Sequence, residues 1–129
     1  MMTISETLDE CIAGHSKWKQ RLKTAASSRK AEITVAEAVR DDLCDFGKWL
    51  SSGARSLTAA ERGTDLERVK QLHKEFHRAA SVTLDAALRG DRARYDAEVS
   101  IDGGFAKASI TLMSAITAWK GHLPRPAAP

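Results

Sequence analysis

The side chains in this 129-residue sequence with the greatest capacity for chemistry are four histidines, at 15, 73, 77 and 122, and two cysteines, at 11 and 44. Three of the histidines fall in apolar stripes. His15 lies seven residues after Leu8 and seven before Leu22, which keeps the three on one helical face. His73 follows Val69 by four residues, and His77 precedes Leu84 by seven. Being four apart, His73 and His77 stack on one side of a helix. A lone histidine on an apolar face is ordinarily a core residue with one hydrogen bond. Three such rings bury both nitrogens of each, and every unsatisfied one costs on the order of 1–3 kcal/mol. A helical core has few free backbone partners, so one shared metal ion is the simplest solution. The second nitrogen of each ring then donates to a carboxylate or carbonyl. Asp41, Asp45 and Glu75 are the candidate carboxylates.

A His-x-x-x-His pair is a weak signal alone. It is strengthened by Cys44, in the run Leu43-Cys44-Asp45-Phe46-Gly47-Lys48-Trp49-Leu50. Gly47 sits three residues on, on nearly the same side of a helix. A glycine disfavoured there implies close approach of another helix beside the thiol. Three imidazoles and one thiolate form a tetrahedral set suited to Zn2+, with no open position for a substrate water. No His-Glu-x-x-His stretch is present, since Lys74 occupies the place of the glutamate, so a hydrolytic zinc is disfavoured. Cys11, one turn before His15, reads as a small buried hydrophobe; a resolving thiol for oxidised Cys44 and an alternative ligand are the other readings. Trp18 and Trp49 are assigned to packing around the site. His122 lies near the C-terminus and is assigned to solvent.

Helical periodicity dominates the elements that must position these groups. The first stripe is Ile4, Leu8, Cys11, Ile12, His15, Trp18 and Leu22, capped by Thr3 or Ser5 and ending near Ser27-Ser28. The second is Val35, Val39, Leu43, Phe46 and Leu50, ending near Ser51-Ser52-Gly53, with one possible helical turn after it. The third is Leu66, Val69, His73, Phe76, His77, Ala80, Leu84 and Leu88, opening after Thr64 or Asp65 and closed by Gly90. The fourth begins at Asp91 and runs through Phe105 to Trp119. Gly103-Gly104 falls inside it, at a cost of roughly 1 kcal/mol per glycine, so the helix kinks there or another backbone approaches. Prolines occur only at 124, 126 and 129. The expected fold is all-α: an antiparallel four-helix bundle with an additional short connecting helix. Residues 1–122 form a single domain and 123–129 a disordered tail.

Composition removes several function classes. The net charge of +3 and pI near 9.0 come from scattered residues. Lys17, Lys19, Arg21 and Lys23 alternate with Trp18, Gln20 and Leu22 and spread around a helix, without the repeated basic-aromatic pattern that stacking on bases needs, so they read as a solvated face and not as a nucleic-acid footprint. No apolar run is long enough to span a membrane. The N-terminus lacks a signal-peptide pattern, which gives a cytoplasmic expectation in which Cys11 and Cys44 are thiols or ligands.

At these residues the sequence resembles the chemoreceptor zinc-binding domain family. The likeness rests on Gly14-His15-Ser16-Lys17-Trp18, on Cys44-Asp45-Phe46-Gly47-Lys48-Trp49, and on His73-Lys74-Glu75-Phe76-His77. These match the family's His-x-x-Trp, its Cys-x-(Phe or Leu)-Gly-x-Trp and its His-x-x-x-His. The Gly103-Gly104-Phe105 stretch resembles the glycine-aromatic break in the family's last long helix, and the likeness spans about residues 4 to 122. It implies zinc on His15, Cys44, His73 and His77, no catalysis, and a homodimer. It also implies a bacterial signalling partner, in cis or in trans, with chemotaxis or cyclic-di-GMP output. The chain itself carries neither a signalling hairpin nor a cyclase domain, so it is expected to be free-standing or excised from a larger receptor. Within such a site Cys44 is the natural point of response, either to zinc availability or to oxidation. Two alternatives belong to other classes. A di-iron bundle enzyme or oxygen carrier would need several inward carboxylates. A metal-free interaction bundle would be indifferent to chelation.

Overall fold

The computed structural model describes residues 3–124, and these are helical with no strand among them. The helices are α1 (Ile4–Ser28), α2 (Val35–Ala38), α3 (Asp45–Ser51), α4 (Ala59–Arg62), α5 (Asp65–Arg89), α6 (Arg92–Val99) and α7 (Gly104–His122), with a 3-10 turn at Gly53–Ser56. Of the tail expected at 123–129, residues 125–129 lie outside the described residues, while Leu123 is half-buried against the core and its N–H donates to the Lys120 carbonyl. Among those described, no helix is long and apolar enough to cross a membrane.

The two long helices follow their sequence pattern closely. Thr3 caps α1: its hydroxyl accepts from the Glu6 N–H, and the Glu6 carboxylate accepts from the Thr3 N–H. The α1 stripe buries Leu8, Cys11, His15, Trp18 and Leu22. On α5 the buried stripe runs from Leu66 through Val69, His73, Phe76, His77 and Ala80 to Leu84. Gly90 ends that helix at φ 72°, in the left-handed region that glycine adopts without a steric penalty. α5 is the central element and packs against α1, α2, α6 and α7. Leu8, Leu22, Phe76, Leu112, Ile116 and Trp119 are fully buried between α1, α5 and α7. The Trp119 indole donates to the Glu61 carbonyl at 2.9 Å, tying α7 to α4.

The two remaining segments are broken where the sequence pattern predicts continuous helices. The second stripe is interrupted after Ala38, and Val39 and Leu43 are left exposed. The chain turns through residues 39–43 and resumes as α3, with Cys44 at its N-cap and not in its interior. Gly47 serves this turn and not a helix–helix contact: a Cβ there would overlap the Asp41 carbonyl oxygen. The apolar period misleads because 35, 39, 43, 46 and 50 keep helical spacing across a turn built from backbone contacts. The fourth helix is likewise split, into α6 and α7. Gly103 is packed against the end of α6, where a Cβ would overlap the Ala97 and Glu98 carbonyl oxygens. The Glu98 carboxylate accepts from the Phe105 N–H at 3.1 Å and so caps the new helix. Of the two outcomes the glycine pair leaves open, close backbone approach is realised, together with a full break.

Alanine substitution separates these glycines from an ordinary one. Gly14 lies inside α1, and a Cβ at that position would meet nothing within 4 Å. Gly14→Ala should stabilise the protein by about 0.5–1 kcal/mol through helix propensity. Gly103→Ala should cost about 1–3 kcal/mol or more by overpacking. Thermal denaturation of both variants checks this, and a Gly103→Ala protein as stable as the parent would contradict the packing at the α6–α7 corner.

Candidate metal centre

Three stretches of chain converge on one buried point. α1 supplies His15, α5 supplies His73 and His77, and the N-cap of α3 supplies Cys44. One donor atom from each lies within 4.8 Å of all the others. His73 Nε2 is 3.1 Å from His15 Nε2, 3.1 Å from His77 Nε2 and 3.4 Å from Cys44 Sγ, and Cys44 Sγ is 3.7 Å from His77 Nε2. A tetrahedral Zn2+ with Zn–N near 2.0–2.1 Å and Zn–S near 2.3 Å requires N–N edges of about 3.3 Å and N–S edges of about 3.6 Å. The donor set fits that ion in type and number, and these four edges match that spacing within about 0.3 Å.

Hydrogen bonding fixes which atoms face inward. His15 Nδ1 is 2.9 Å from the Cys11 carbonyl oxygen, and His77 Nδ1 is 3.1 Å from the Ala38 carbonyl oxygen. A carbonyl only accepts, so both Nδ1 atoms carry the proton and both Nε2 atoms present lone pairs to the centre. Cys44 Sγ accepts from the Gly47 N–H at 3.3 Å, which orients the sulfur. Two Nε2 acceptors and the Cys44 sulfur therefore surround His73 Nε2, which has at most one proton to share. A cation at the centre satisfies all of these lone pairs together.

The surroundings favour neutral ligands. His15, His73 and His77 are buried. Desolvation pushes the His15 pKa down to about 4 and that of His73 to about 2, and lowers that of His77. Burial raises the Cys44 thiol, against which the backbone N–H groups of the α3 start pull it down. Aromatic edges enclose the imidazoles: the Phe76 ring centre is 4.9 Å from His15, Phe46 is 5.2 Å from His73, and Trp18 is 5.8 Å from His77. Cys44 alone of the four is only partly buried. A groove of about 890 Å³ beside α1 is lined by Cys44, His15 and His77 and gives access to the sulfur.

All four expected ligand residues come together. The expected carboxylate orienters do not: the carbonyls of Cys11 and Ala38 take that role, and Glu75 accepts from Gln71 instead. Sequence offers no signal for them, since every residue carries a carbonyl and only the break after Ala38 frees that one. Cys11 is buried with Sγ 3.3 Å from His15 Nδ1, the nitrogen facing away from the cluster. It lies outside the four-residue donor group. Trp18 packs against His77 as expected, whereas Trp49 stacks on Phe46, one residue removed from the ligands. His122 is exposed, though paired with Asp65 at 3.0 Å.

With this geometry in place, comparison with known proteins is decisive about kinship. The family model of the chemoreceptor zinc-binding domain matches residues 15–84, more than half of the chain. The chain belongs to that family. The matched stretch begins at His15 and contains Cys44, His73 and His77. No curated protein and no solved structure matches the chain. The cluster contains no carboxylate, whereas the di-iron alternative requires several.

The lowered histidine pKa values give the metal-free protein a pH dependence. In the unfolded chain these rings titrate near 6.5, while folded His15 and His73 resist protonation until about pH 4 or below, and His77 is lowered in the same direction. The unfolded state thus takes up protons first as pH falls, so this contribution is complete above about pH 6.5 and is lost towards pH 4. Urea midpoints of the chelated protein should fall steadily between pH 7 and pH 5. A flat profile would contradict burial of the three neutral rings.

Proposed function

We propose that this chain is a non-catalytic, zinc-binding sensor domain in which His15, Cys44, His73 and His77 hold one Zn2+. The carrying observation is the convergence of three Nε2 atoms and one thiol sulfur within 4.8 Å of one another, in a member of a zinc-binding family. Four protein donors fill a zinc shell and leave no position for a substrate, which argues against hydrolysis. Residues 1–122 constitute the domain, an antiparallel four-helix bundle with an additional short connecting helix. Packing of α1, α5 and α7 around one core supports that arrangement.

Sensing rests on Cys44. It lines the groove, is the one ligand of the four that is only partly buried, and is the one not carried by a long helix. Bound zinc would keep the Cys44 sulfur as thiolate at neutral pH. Oxidation of that sulfur by a peroxide, which is reduced to water, gives a sulfenic acid and a poorer donor. Either zinc loss or this oxidation would release the α3 end from α1 and α5. The family's association with chemoreceptors supports a cytoplasmic role in bacterial chemotaxis or cyclic-di-GMP signalling, as a homodimer, with the output module in cis or in trans.

Elemental analysis of protein purified without added metal tests the assignment. One zinc per chain is expected, and Cys44→Ala and His73→Ala should each lose most of it. Two irons per chain would support the di-iron reading, and zinc-independent stability under strong chelation a plain interaction bundle. Protonation states add a second readout. At pH 7 the lowered histidines are neutral and the raised Cys44 thiol is protonated. Zinc binding should therefore release about one proton, read from calorimetry in buffers of different ionisation enthalpy. Release of none would remove Cys44 from the ligand set.

A further inference from the structure

The three imidazoles are not equivalent. His15 and His77 each donate Nδ1–H to a main-chain carbonyl, from Cys11 and Ala38. His73 Nδ1 is the one buried side-chain nitrogen or oxygen among the described residues with no hydrogen-bond partner in the protein. His73 itself is fully buried. Its other nitrogen faces two Nε2 lone pairs at 3.1 Å and the Cys44 sulfur at 3.4 Å.

These contacts dictate different tautomers with and without metal. A neutral imidazole carries one ring proton. In the metal-free chain a proton on His73 Nε2 finds an acceptor in His15 Nε2 or His77 Nε2. The same proton on Nδ1 finds none, and an unpaired buried donor is costly. The metal-free preference is thus Nε2–H. Metal ligation through Nε2 requires the opposite tautomer, Nδ1–H. His15 and His77 hold the ligating tautomer in both states, locked by their carbonyls.

We propose that His73 is a tautomer-switching ligand: on zinc binding it alone moves its proton, from Nε2 to an Nδ1 that has no acceptor. This rests on the four-residue zinc reading above and specifies how that site is regulated. Protons balance without a co-reactant: His73 Nε2–H goes to solvent, Nδ1 takes one from solvent, and the separate loss from the Cys44 thiol is unchanged. The consequence is a ceiling on affinity. Each loading event carries the loss of an internal hydrogen bond and the exposure of an unpaired donor to an apolar site. The site is thereby set to release zinc more readily than one with all three rings anchored, as an exchanging sensor requires and a permanent structural site does not.

Nitrogen-15 NMR of the histidine rings in the whole chain, before and after one equivalent of zinc, tests this directly. Expected in the metal-free protein are Nδ1–H patterns for His15 and His77 and an Nε2–H pattern for His73. After loading, all three should be Nδ1–H, with the His73 ring proton alone lacking a hydrogen-bond shift and protection from exchange. A metal-free His73 already protonated at Nδ1, a metal-free chain that unfolds, or a loaded His73 proton as protected as the other two would each overturn the proposal. If zinc perturbs none of the three rings, the zinc assignment fails as well. If zinc perturbs all three without a tautomer change at His73, only the switch fails.

Discussion

Three imidazole nitrogens and one thiol sulfur share a single buried point, and at least two of the nitrogens can present only lone pairs there. Such an arrangement is unstable by itself, because acceptors crowd together where water cannot reach them. The rest of the chain is organised around holding it in place. Two 25-residue helices, α1 and α5, provide straight rails from which His15, His73 and His77 project. Phe46, Phe76 and Trp18 set their rings edge-on to the imidazoles and keep the interior apolar. The same burial that lowers the histidine pKa values makes the rings neutral, which is the form that ligates.

The thiol is delivered differently. α2 stops after Ala38, and that single interruption frees the carbonyl that orients His77. It also lets the chain double back tightly enough that Gly47 lies against the Asp41 carbonyl. Cys44 then occupies a helix N-cap, where the Gly47 N–H steadies its sulfur. Two ligands therefore depend on one turn. The cysteine arm is held by a short helix and by backbone contacts, while the histidine arms belong to the main core. A response that begins at Cys44 would act on the least embedded part of the centre.

Much of this is legible in the sequence, and the failures are informative. His15, His73 and His77 can be read because an α-helix converts a spacing of three, four or seven into one face. Thr3 and Gly90 mark helix ends by local chemistry that acts over a few residues. The interrupted second helix is hidden, because Val39 and Leu43 keep the apolar period while standing exposed beside the turn. Gly47 and Gly103 are visible as anomalies, but the carbonyls that exclude a Cβ belong to residues brought close only by the folded backbone. The orienting carbonyls of Cys11 and Ala38, and the absent partner of His73 Nδ1, have no sequence signature. What a side chain offers can be read from its type, whereas what the backbone offers depends on where helices end.

Everything in this site turns on whether these four donors surround one zinc ion. X-ray absorption at the zinc edge of the protein as isolated tests it most directly. The expected first shell is three nitrogen scatterers near 2.0–2.1 Å and one sulfur near 2.3 Å, with the sulfur replaced by a lighter atom in Cys44→Ser. A shell of nitrogen and oxygen alone in the parent protein, a second metal at short distance, or an unchanged spectrum in Cys44→Ser would contradict it.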